Sequence, residues 1–475
     1  MIWARHRTGL ERQVTDDRER KLSRREWLYP AILGLVLLAR LGFAALVYTR
    51  PELAFANDSD RYIPIANGIL SGQAYAWNTE HPGELLNTIG YPLFLAGVFA
   101  TLGHEAGDVA LAQLLATGAV AMIVYAVLSK WLGPTAAFAS AMLLALDPLT
   151  ILWSMTILTE TLFAVTLGIG AVLLASWAHS QNRRTLILAG LFSGLACLVK
   201  PFAMLIVAVW AAGLLVFPRQ ADGPRTRRLA DGVRRGLLFV LPSMMLILPW
   251  FVRNALLWDC PTLSSVDRVT MRDYMAAKVL AEAEHVDLGV AQASLQEADP
   301  GVCPSDTAKY WRIILANPGI YARLHIAGTV PVLIATNFDR WLQYFGTEYT
   351  FPDLWRPYMD GGLRGLASVI GGQIRVFPQA IGLMLALTAF QLLLYALALV
   401  GAVRAFRLPS GAAKWNAIVL LAAILILVLT PGQGGHERFR VPVQPLLTIL
   451  IGYGVGWRMR PRTQQTFTAQ SMQRT

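Results

Sequence analysis

Long apolar stretches recur along this chain of 475 residues, and several of them reach the length at which an α-helix crosses a bilayer. A transmembrane helix needs about 20 predominantly apolar residues. The composition agrees, because 55% of the residues are hydrophobic and only 15% are charged. The sequence therefore predicts an all-α polytopic membrane protein.

The apolar stretches predict about ten transmembrane helices. They cover residues 27–48, 110–128, 136–152, 161–178, 186–199, 202–217, 237–257, 381–403, 418–429 and 441–457. Ile89–Leu102 and His325–Thr336 are shorter than a span, and the alternation of inner and outer loops leaves no crossing for either. We expect these two pieces to form juxtamembrane helices at the outer face.

The distribution of positive charge sets the predicted orientation. The chain carries 41 Lys and Arg against 30 Asp and Glu, a net charge of +11, and the basic residues cluster between apolar stretches. Such clusters mark cytoplasmic loops, so the charge is no argument for nucleic-acid binding. The predicted parts are cytoplasmic tails at residues 1–27 and 459–475, a transmembrane domain at residues 28–458, and outer loops at residues 49–107, 258–379 and 431–440.

The longest outer loop has two predicted helices and two cysteines. Residues 272–295 favour a helix, because Ala, Glu and Leu are frequent and no Gly or Pro precedes Gly289. A second helix is predicted from the Ser305-Asp306 cap to just before Pro318. Cys260 and Cys303 either form a disulfide in an oxidising compartment or stay as unpaired thiols, and the sequence leaves both alternatives open.

Two carboxylates follow the first span, in Asn57-Asp58-Ser59-Asp60-Arg61-Tyr62. A carboxylate needs water, a cation or a donor, so this stretch is expected outside the hydrocarbon, where it can act as a base or metal ligand. The structural alternative is that Asp58 or Asp60 caps a helix that begins here. The choice depends on what else reaches the same face.

The predicted topology brings other charged residues to the face that carries Asp58. The candidates are Asp58, Asp60, Arg61, Tyr62, Glu160, Lys200, Arg253, His436, Arg438 and Arg440. Acids can bind a metal or a sugar hydroxyl, and bases can bind phosphate, so an amphiphilic phosphate with its tail in lipid fits the set. The purely structural alternatives are a helix N-terminal acid at Glu160, a snorkelling Lys200, an interfacial Arg253 and an ordinary charged turn at residues 431–440.

The order and spacing of five motifs resemble the GT-C membrane glycosyltransferases, in the family 39-like branch of protein O-mannosyltransferases and lipid A aminoarabinose transferases. The motifs are Asp58-Ser59-Asp60-Arg61-Tyr62, Gly90-Tyr91-Pro92, Thr159-Glu160-Thr161, Pro249-Trp250 with Arg253-Asn254, and Arg438-Phe439-Arg440-Val441-Pro442. The resemblance extends over nearly the whole chain. The chain lacks room for the large soluble insert of the former group and the longer C-terminal part of the latter, which favours a generic bacterial polyprenyl-phosphate sugar transferase.

The resemblance implies a GT-C-like bundle that transfers a hexose or pentose, with inversion, from a polyprenyl-phosphate donor to a glycan, lipid or protein acceptor. Asp58 would deprotonate or orient the acceptor hydroxyl, and Glu160 would help hold the acceptor or a divalent cation, Mg²⁺ or Mn²⁺, with Asp58 and Glu160 as the metal ligands. Lys200, Arg438 and Arg440 would neutralise the departing phosphate. The substrate-binding set also includes Asp60, Arg61, Tyr62, Arg253 and His436.

The predicted location is the inner (plasma) membrane, with both termini cytoplasmic and the active site on the periplasmic or extracellular face. Two other functions fit a bundle with charged residues. A transporter or flippase for a lipid-linked or anionic substrate usually shows internal repeats and a site at the bilayer midplane, whereas this chain has no obvious repeat and its charges gather at one face. A non-catalytic assembly subunit would tolerate changes at Asp58, Glu160 and Lys200.

Overall fold

The computed structural model of the protein describes residues 27–56, 58–75, 82–217, 225–299, 303, 307–348 and 355–456. Within these ranges the chain forms helices and turns and contains no β-strand. Apolar side chains of most long helices meet in one buried core. The all-α fold class is therefore confirmed. Nearly all of the two predicted tails lies outside the described residues.

The helices are numbered in chain order. The first ten are α1 (Trp27–Thr49), α2 (Ser59–Leu70), α3 (Gly90–Thr101), α4 (Ala106–Leu132), α5 (Pro134–Ala145), α6 (Pro148–Ser154), α7 (Thr159–Ser180), α8 (Arg183–Val199), α9 (Ala203–Leu215) and α10 (Arg225–Trp258). The next ten are α11 (Val266–Thr270), α12 (Ala277–Glu284), α13 (Leu288–Ala298), α14 (Thr307–Ala316), α15 (Pro318–Ile334), α16 (Phe338–Tyr344), α17 (Trp355–Val376), α18 (Pro378–Arg407), α19 (Gly411–Leu429) and α20 (Val443–Gly456). A π-helical turn, Met271–Ala276, connects α11 to α12.

Six helices are long and apolar enough to cross a membrane: α1, α4, α7, α10, α18 and α19. Two bent pairs can each add a crossing, α5 with α6 at 49° and α15 with α16 at 45°. The described residues thus provide six to eight crossings, and the predicted count of ten is not confirmed. The predicted juxtamembrane pieces form α3 and α15, and their position in the membrane stays a prediction.

The span predicted at residues 136–152 is broken, so this prediction was wrong in its continuity. α5 ends at Ala145 and α6 begins at Pro148. Proline lacks a backbone N–H and disfavours helical geometry in the preceding residue. Asp147 accordingly adopts extended backbone, and its Oδ2 accepts a hydrogen bond from Thr150 N at 2.8 Å, which caps α6. The short helix then leads into the start of α7.

Small residues let α8 and α10 approach closely. A methyl group at Gly190 would overlap the Phe239 carbonyl, and one at Gly194 would lie 2.8 Å from Ser243 Cα. Ser243 Oγ donates a hydrogen bond to Gly190 O at 2.7 Å. Such contacts are typical of helix packing in membranes. They fix α8, whose C-terminal end leads directly into Lys200.

The longest outer loop contains a small helical unit, here named the outer-loop unit (residues 260–299, 303 and 307–316). The single helix predicted at residues 272–295 was wrong. α12 ends at Glu284, because the next residue, His285, has a left-handed φ of 56°, and α13 begins after the Asp287 cap. A disulfide joins Cys260 and Cys303, so the structure favours the bonded pair over two unpaired thiols. The predicted Ser305-Asp306 cap lies outside the described residues.

Candidate active site

Asp58 directly precedes α2, but its side chain does not cap the helix. Its Oδ1 accepts a hydrogen bond from Arg61, and its Oδ2 accepts one from Arg438 Nη1 at 3.2 Å. Arg438 lies 380 positions away in the chain. The capping alternative is therefore not supported for Asp58. Asp60, on the first turn of α2, is exposed and lies outside the cavity described below.

Glu160 lies in the first turn of α7 and is 2% exposed. Its Oε1 is 2.8 Å from Lys200 Nζ and 3.5 Å from Arg438 Nε. Arg438 thus contacts both carboxylates, Asp58 and Glu160. The structure brings together these predicted residues from four distant segments, as the predicted shared face requires.

Phe439 lies beneath the two cations of this cluster. Lys200 Nζ is 5.0 Å from the centroid of its ring, and Arg438 Cζ is 5.1 Å from the same centroid. An aromatic face attracts a cation within about 6 Å. The ring therefore helps to hold both positive groups in place while leaving their other sides available.

The cluster opens into a cavity of about 950 Å³. Its polar lining includes the side chains of Asp58, Arg61, Tyr62, Glu160, Lys200 and Arg438. Burial and the nearby carboxylates of Glu160 and Asp58 raise the pKa of Tyr62, so its hydroxyl stays protonated and remains a donor. A volume of this size accommodates a ligand of several hundred Å³.

Two predicted phosphate-binding arginines do not line this cavity. Arg253 is buried, with its Nη2 3.0 Å from Glu84 Oε2 and its guanidinium 4.8 Å from the Trp250 ring. Arg440 is 1% exposed and donates to two backbone carbonyls, Val332 O at 2.8 Å and Ala335 O at 2.7 Å. Since their hydrogen-bonding groups face the protein interior, the structure gives neither residue the contact with the cavity that the predicted role requires.

His436 lines the cavity beside Glu437 and the Trp153 ring. Burial and the charge of Arg438 lower the pKa of His436 to about 4. Burial raises the pKa of Glu437 to about 7. Around pH 6 both side chains are therefore mainly neutral, so the 3.0 Å contact between His436 Nδ1 and Glu437 Oε2 is not an ion pair at that pH.

The predicted metal ligands, Asp58 and Glu160, both contact cationic side chains in this structure. Asp58 and Glu160 already share Arg438, and each has a further cationic partner, Arg61 and Lys200 respectively. The described part of the chain contains no group of three or more His, Cys, Asp and Glu side chains that could hold a metal ion. In this cluster three cations against two carboxylates leave a surplus positive charge, which suits an anion.

The cavity residues that sequence reasoning did not select as candidates include Phe439, Trp153 and Asp267. Phe439 stands between two predicted arginines, so its position offered a usable signal. Trp153 lies within an apolar stretch, and Asp267 is one of many charges in the longest outer loop, so neither position stands out. Only tertiary structure brings them to the cavity.

Residues 81–250 match the protein family described as dolichyl-phosphate-mannose-protein mannosyltransferase. The matched segment is about a third of the chain, and it contains Glu160 and Lys200 but neither Asp58 nor Arg438. The match confirms the predicted resemblance to GT-C membrane glycosyltransferases, over a shorter segment than the motifs implied. No curated protein matches the chain.

Solved structures with a similar arrangement share little sequence with the chain. The apo oligosaccharyltransferase of Archaeoglobus fulgidus is 14% identical, with 87% of this chain and 50% of that chain covered and a TM-score of 0.46. AglB of the same organism, in complex with an inhibitory peptide and a dolichol-phosphate, is 13% identical. The match covers 92% of this chain and 53% of that chain, with a TM-score of 0.44. ArnT of Cupriavidus metallidurans bound to undecaprenyl phosphate is 14% identical. The match covers 90% of this chain and 77% of that chain, with a TM-score of 0.35.

The chain spans about half the length of the oligosaccharyltransferases that it resembles. With TM-scores below 0.5, these structural likenesses carry no functional argument.

Proposed function

We propose that the protein is a membrane glycosyltransferase that moves a sugar from a polyprenyl-phosphate donor to a hydroxyl of a glycan, lipid or protein acceptor. The observation that carries this proposal is the meeting of Asp58, Glu160 and Lys200 around Arg438 in one cavity. The family match over residues 81–250 supports the reaction class. The identity of the sugar is left open.

The basic side chains of the cluster suit a lipid phosphate. Lys200 and Arg438 lie side by side over Phe439, and both line the cavity. Guanidinium and ammonium groups form strong, charge-assisted hydrogen bonds to phosphate oxygens. They would hold the donor phosphate in the ground state and stabilise it as it leaves with its negative charge.

The two carboxylates differ in accessibility, and this separates their proposed roles. The Asp58 side chain is 25% exposed, whereas the Glu160 side chain is 3% exposed. A general base must reach the acceptor hydroxyl, so Asp58 takes this role. Glu160 instead positions Lys200 and Arg438, because it contacts both of them.

The proposed reaction is a single displacement that inverts the anomeric centre. The acceptor oxygen bonds to C1 of the sugar while the bond between C1 and the phosphate oxygen breaks. The acceptor proton passes to Asp58, and the electron pair of the broken bond leaves on the lipid phosphate beside Lys200 and Arg438. No step passes through a metal ion. A dependence on Mg²⁺ or Mn²⁺ stays a prediction, which a transfer assay with EDTA and added metal decides.

The proposed location is the inner (plasma) membrane, with both termini in the cytoplasm and the cavity on the non-cytoplasmic face. The positive-inside rule supports this orientation, because Arg183 and Arg184 begin α8, at the end of α7 opposite Glu160. The disulfide between Cys260 and Cys303 also supports it, since such bonds persist in oxidising compartments.

Asp58→Asn tests the proposed base. A general base typically contributes a factor of 10² to 10⁴, so we expect transfer to fall at least about 100-fold. The measurement is glycan mass spectrometry of a deletion strain that expresses each variant at equal protein level. Asp60→Asn is the matched control, because it changes an exposed acid two residues away that lies outside the cavity.

Full activity of Asp58→Asn would refute the base. The same membranes also test the transporter alternative, through a radiolabelled polyprenyl-phosphate sugar in proteoliposomes. Label that accumulates across the membrane without any covalent product would favour transport over transfer. Wild-type behaviour of changes at Asp58, Glu160 and Lys200 alike would favour a non-catalytic assembly subunit.

A further inference from the structure

The cavity has a second polar wall that the proposed reaction does not use. The outer-loop unit supplies it, with Asp267 on α11 and Asp273 and Tyr274 on the π-helical turn. Asp273 is committed to its neighbour, because Arg272 donates to both of its carboxylate oxygens, at 2.6 and 3.1 Å. The Asp267 carboxylate has no hydrogen bond or ion pair with any described residue.

The segment that carries Asp267 is firmly attached to the rest of the protein. Ser264 Oγ donates to Leu86 O at 2.6 Å, and Ser265 N donates to Leu85 O at 2.9 Å. The disulfide at Cys260 joins the same segment to a later part of the outer-loop unit. A side chain on a rigid support keeps its position before a ligand arrives, so a ligand need not order it.

The Asp267 side chain is exposed and lines the cavity, so its carboxylate is accessible to a ligand. Although its side chain is open to the cavity, the protein around Asp267 displaces enough water to raise its pKa. A desolvated carboxylate is stabilised by hydrogen-bond donors. The described residues supply no such donor, so the oxygens of this carboxylate are available to accept hydrogen bonds from a ligand in the cavity.

We propose that Asp267 is a recognition residue for a sugar, whose hydroxyl groups donate hydrogen bonds to its carboxylate. This rests on the proposed function, which places the lipid phosphate at Lys200 and Arg438 within the same cavity. Tyr274, half exposed on the same wall, offers a ring face for the apolar side of a sugar. The sugar belongs either to the donor or to the acceptor, and the two sources share this chemistry.

The test measures binding to the full-length protein in lipid nanodiscs with three probes. Undecaprenyl phosphate reports the phosphate end alone, decaprenyl-phosphate mannose adds a donor sugar, and a panel of methyl glycosides represents acceptor sugars. The variants are Asp267→Ala and Asp267→Asn, with Glu297→Gln as the control for an exposed acid of the same unit outside the cavity.

We expect Asp267→Ala to weaken at least one sugar probe about tenfold or more and to leave undecaprenyl phosphate binding unchanged. Asp267→Asn should lose less, because its amide oxygen still accepts a hydrogen bond. Loss confined to decaprenyl-phosphate mannose assigns the sugar to the donor, and loss with the methyl glycosides assigns it to the acceptor.

Three results would overturn the inference: wild-type protein that binds neither kind of sugar probe, Asp267→Ala that binds both as wild type does, and Asp267→Ala that loses undecaprenyl phosphate equally. Wild-type protein that binds methyl glycosides but not undecaprenyl phosphate would instead count against the proposed function. The two failures are therefore distinguishable.

Discussion

Arg438 is the residue through which the candidate site is assembled, because its guanidinium contacts both Asp58 and Glu160. A planar guanidinium can bind two acceptors in fixed directions, which an ammonium group cannot do with the same geometry. Its neighbour Arg440 has the same side chain but binds two backbone carbonyls within the protein. Residue type alone therefore does not assign a role, and the partners of each guanidinium do.

Glu437, adjacent to Arg438, makes stability depend on pH. Burial raises its pKa to about 7 from the ordinary value of 4.5, so the folded state retains a proton that the unfolded chain has lost. Stability therefore falls as pH rises from about 4.5 to 7, and the full loss persists above pH 7. We expect Glu437→Gln, which stays neutral, to raise the apparent Tm at pH 8 by about 2–4 °C or more and by less at pH 5.

The measurement is differential scanning fluorimetry of the detergent-purified protein at the two pH values. Glu297→Gln is the control, because its carboxylate is exposed and should show no comparable pH-dependent gain. An equal gain for Glu437→Gln at pH 5 and pH 8 would show that the side chain is neutral throughout or that its effect is only steric.

At the scale of the helices, apolar length predicts which segments form spans but not where they bend. The long helices α4, α7 and α18 enclose the predicted spans because each carries an unbroken apolar stretch. The break between α5 and α6 escaped this argument, although Asp147-Pro148 is a recognisable interruption. The turn at His285 gave only a weak warning, since histidine adopts left-handed backbone more often than most residues but a single histidine does not end a helix.

The disulfide is expected to hold the outer-loop unit together beside the cavity. It joins cysteines 43 positions apart, for which the loss of loop-closure entropy corresponds to about 4 kcal/mol. We expect the double change Cys260→Ser with Cys303→Ser to increase hydrogen exchange in α11 to α13 strongly while the spans stay protected. Cys197→Ala, at a buried free cysteine near the C-terminal end of α8, is the matched control.

Unchanged exchange in α11 to α13 would contradict a stabilising role for the bond. Because Asp267 lies on α11, the same double variant should also bind the sugar probes more weakly than undecaprenyl phosphate. An equal loss for all probes would indicate damage beyond the outer-loop unit.

For the whole molecule, a shared predicted face was necessary for finding the site but not sufficient. Asp58, Glu160, Lys200 and Arg438 were all assigned to the outer face, and they meet. Arg253 was assigned to that face on the same grounds, yet it pairs with Glu84 in the interior. The predicted topology tells on which side of the membrane a residue lies. Its contact partner depends on tertiary packing, which no local sequence pattern shows.

The orientation of the whole bundle gives the last prediction. α7 has 22 residues and is therefore roughly 33 Å long, enough to place Glu160 and Ser180 on opposite sides of the hydrocarbon.

We expect a cysteine introduced by Asp60→Cys to react in intact cells with a maleimide that cannot cross membranes. A cysteine introduced by Ser180→Cys should react only after permeabilisation. Both changes are made with Cys197→Ala, and the disulfide is left in place because its sulfurs do not react. Labelling of both positions from the same side, or the reverse pattern, would place the cavity on the wrong face for an extracytoplasmic transfer.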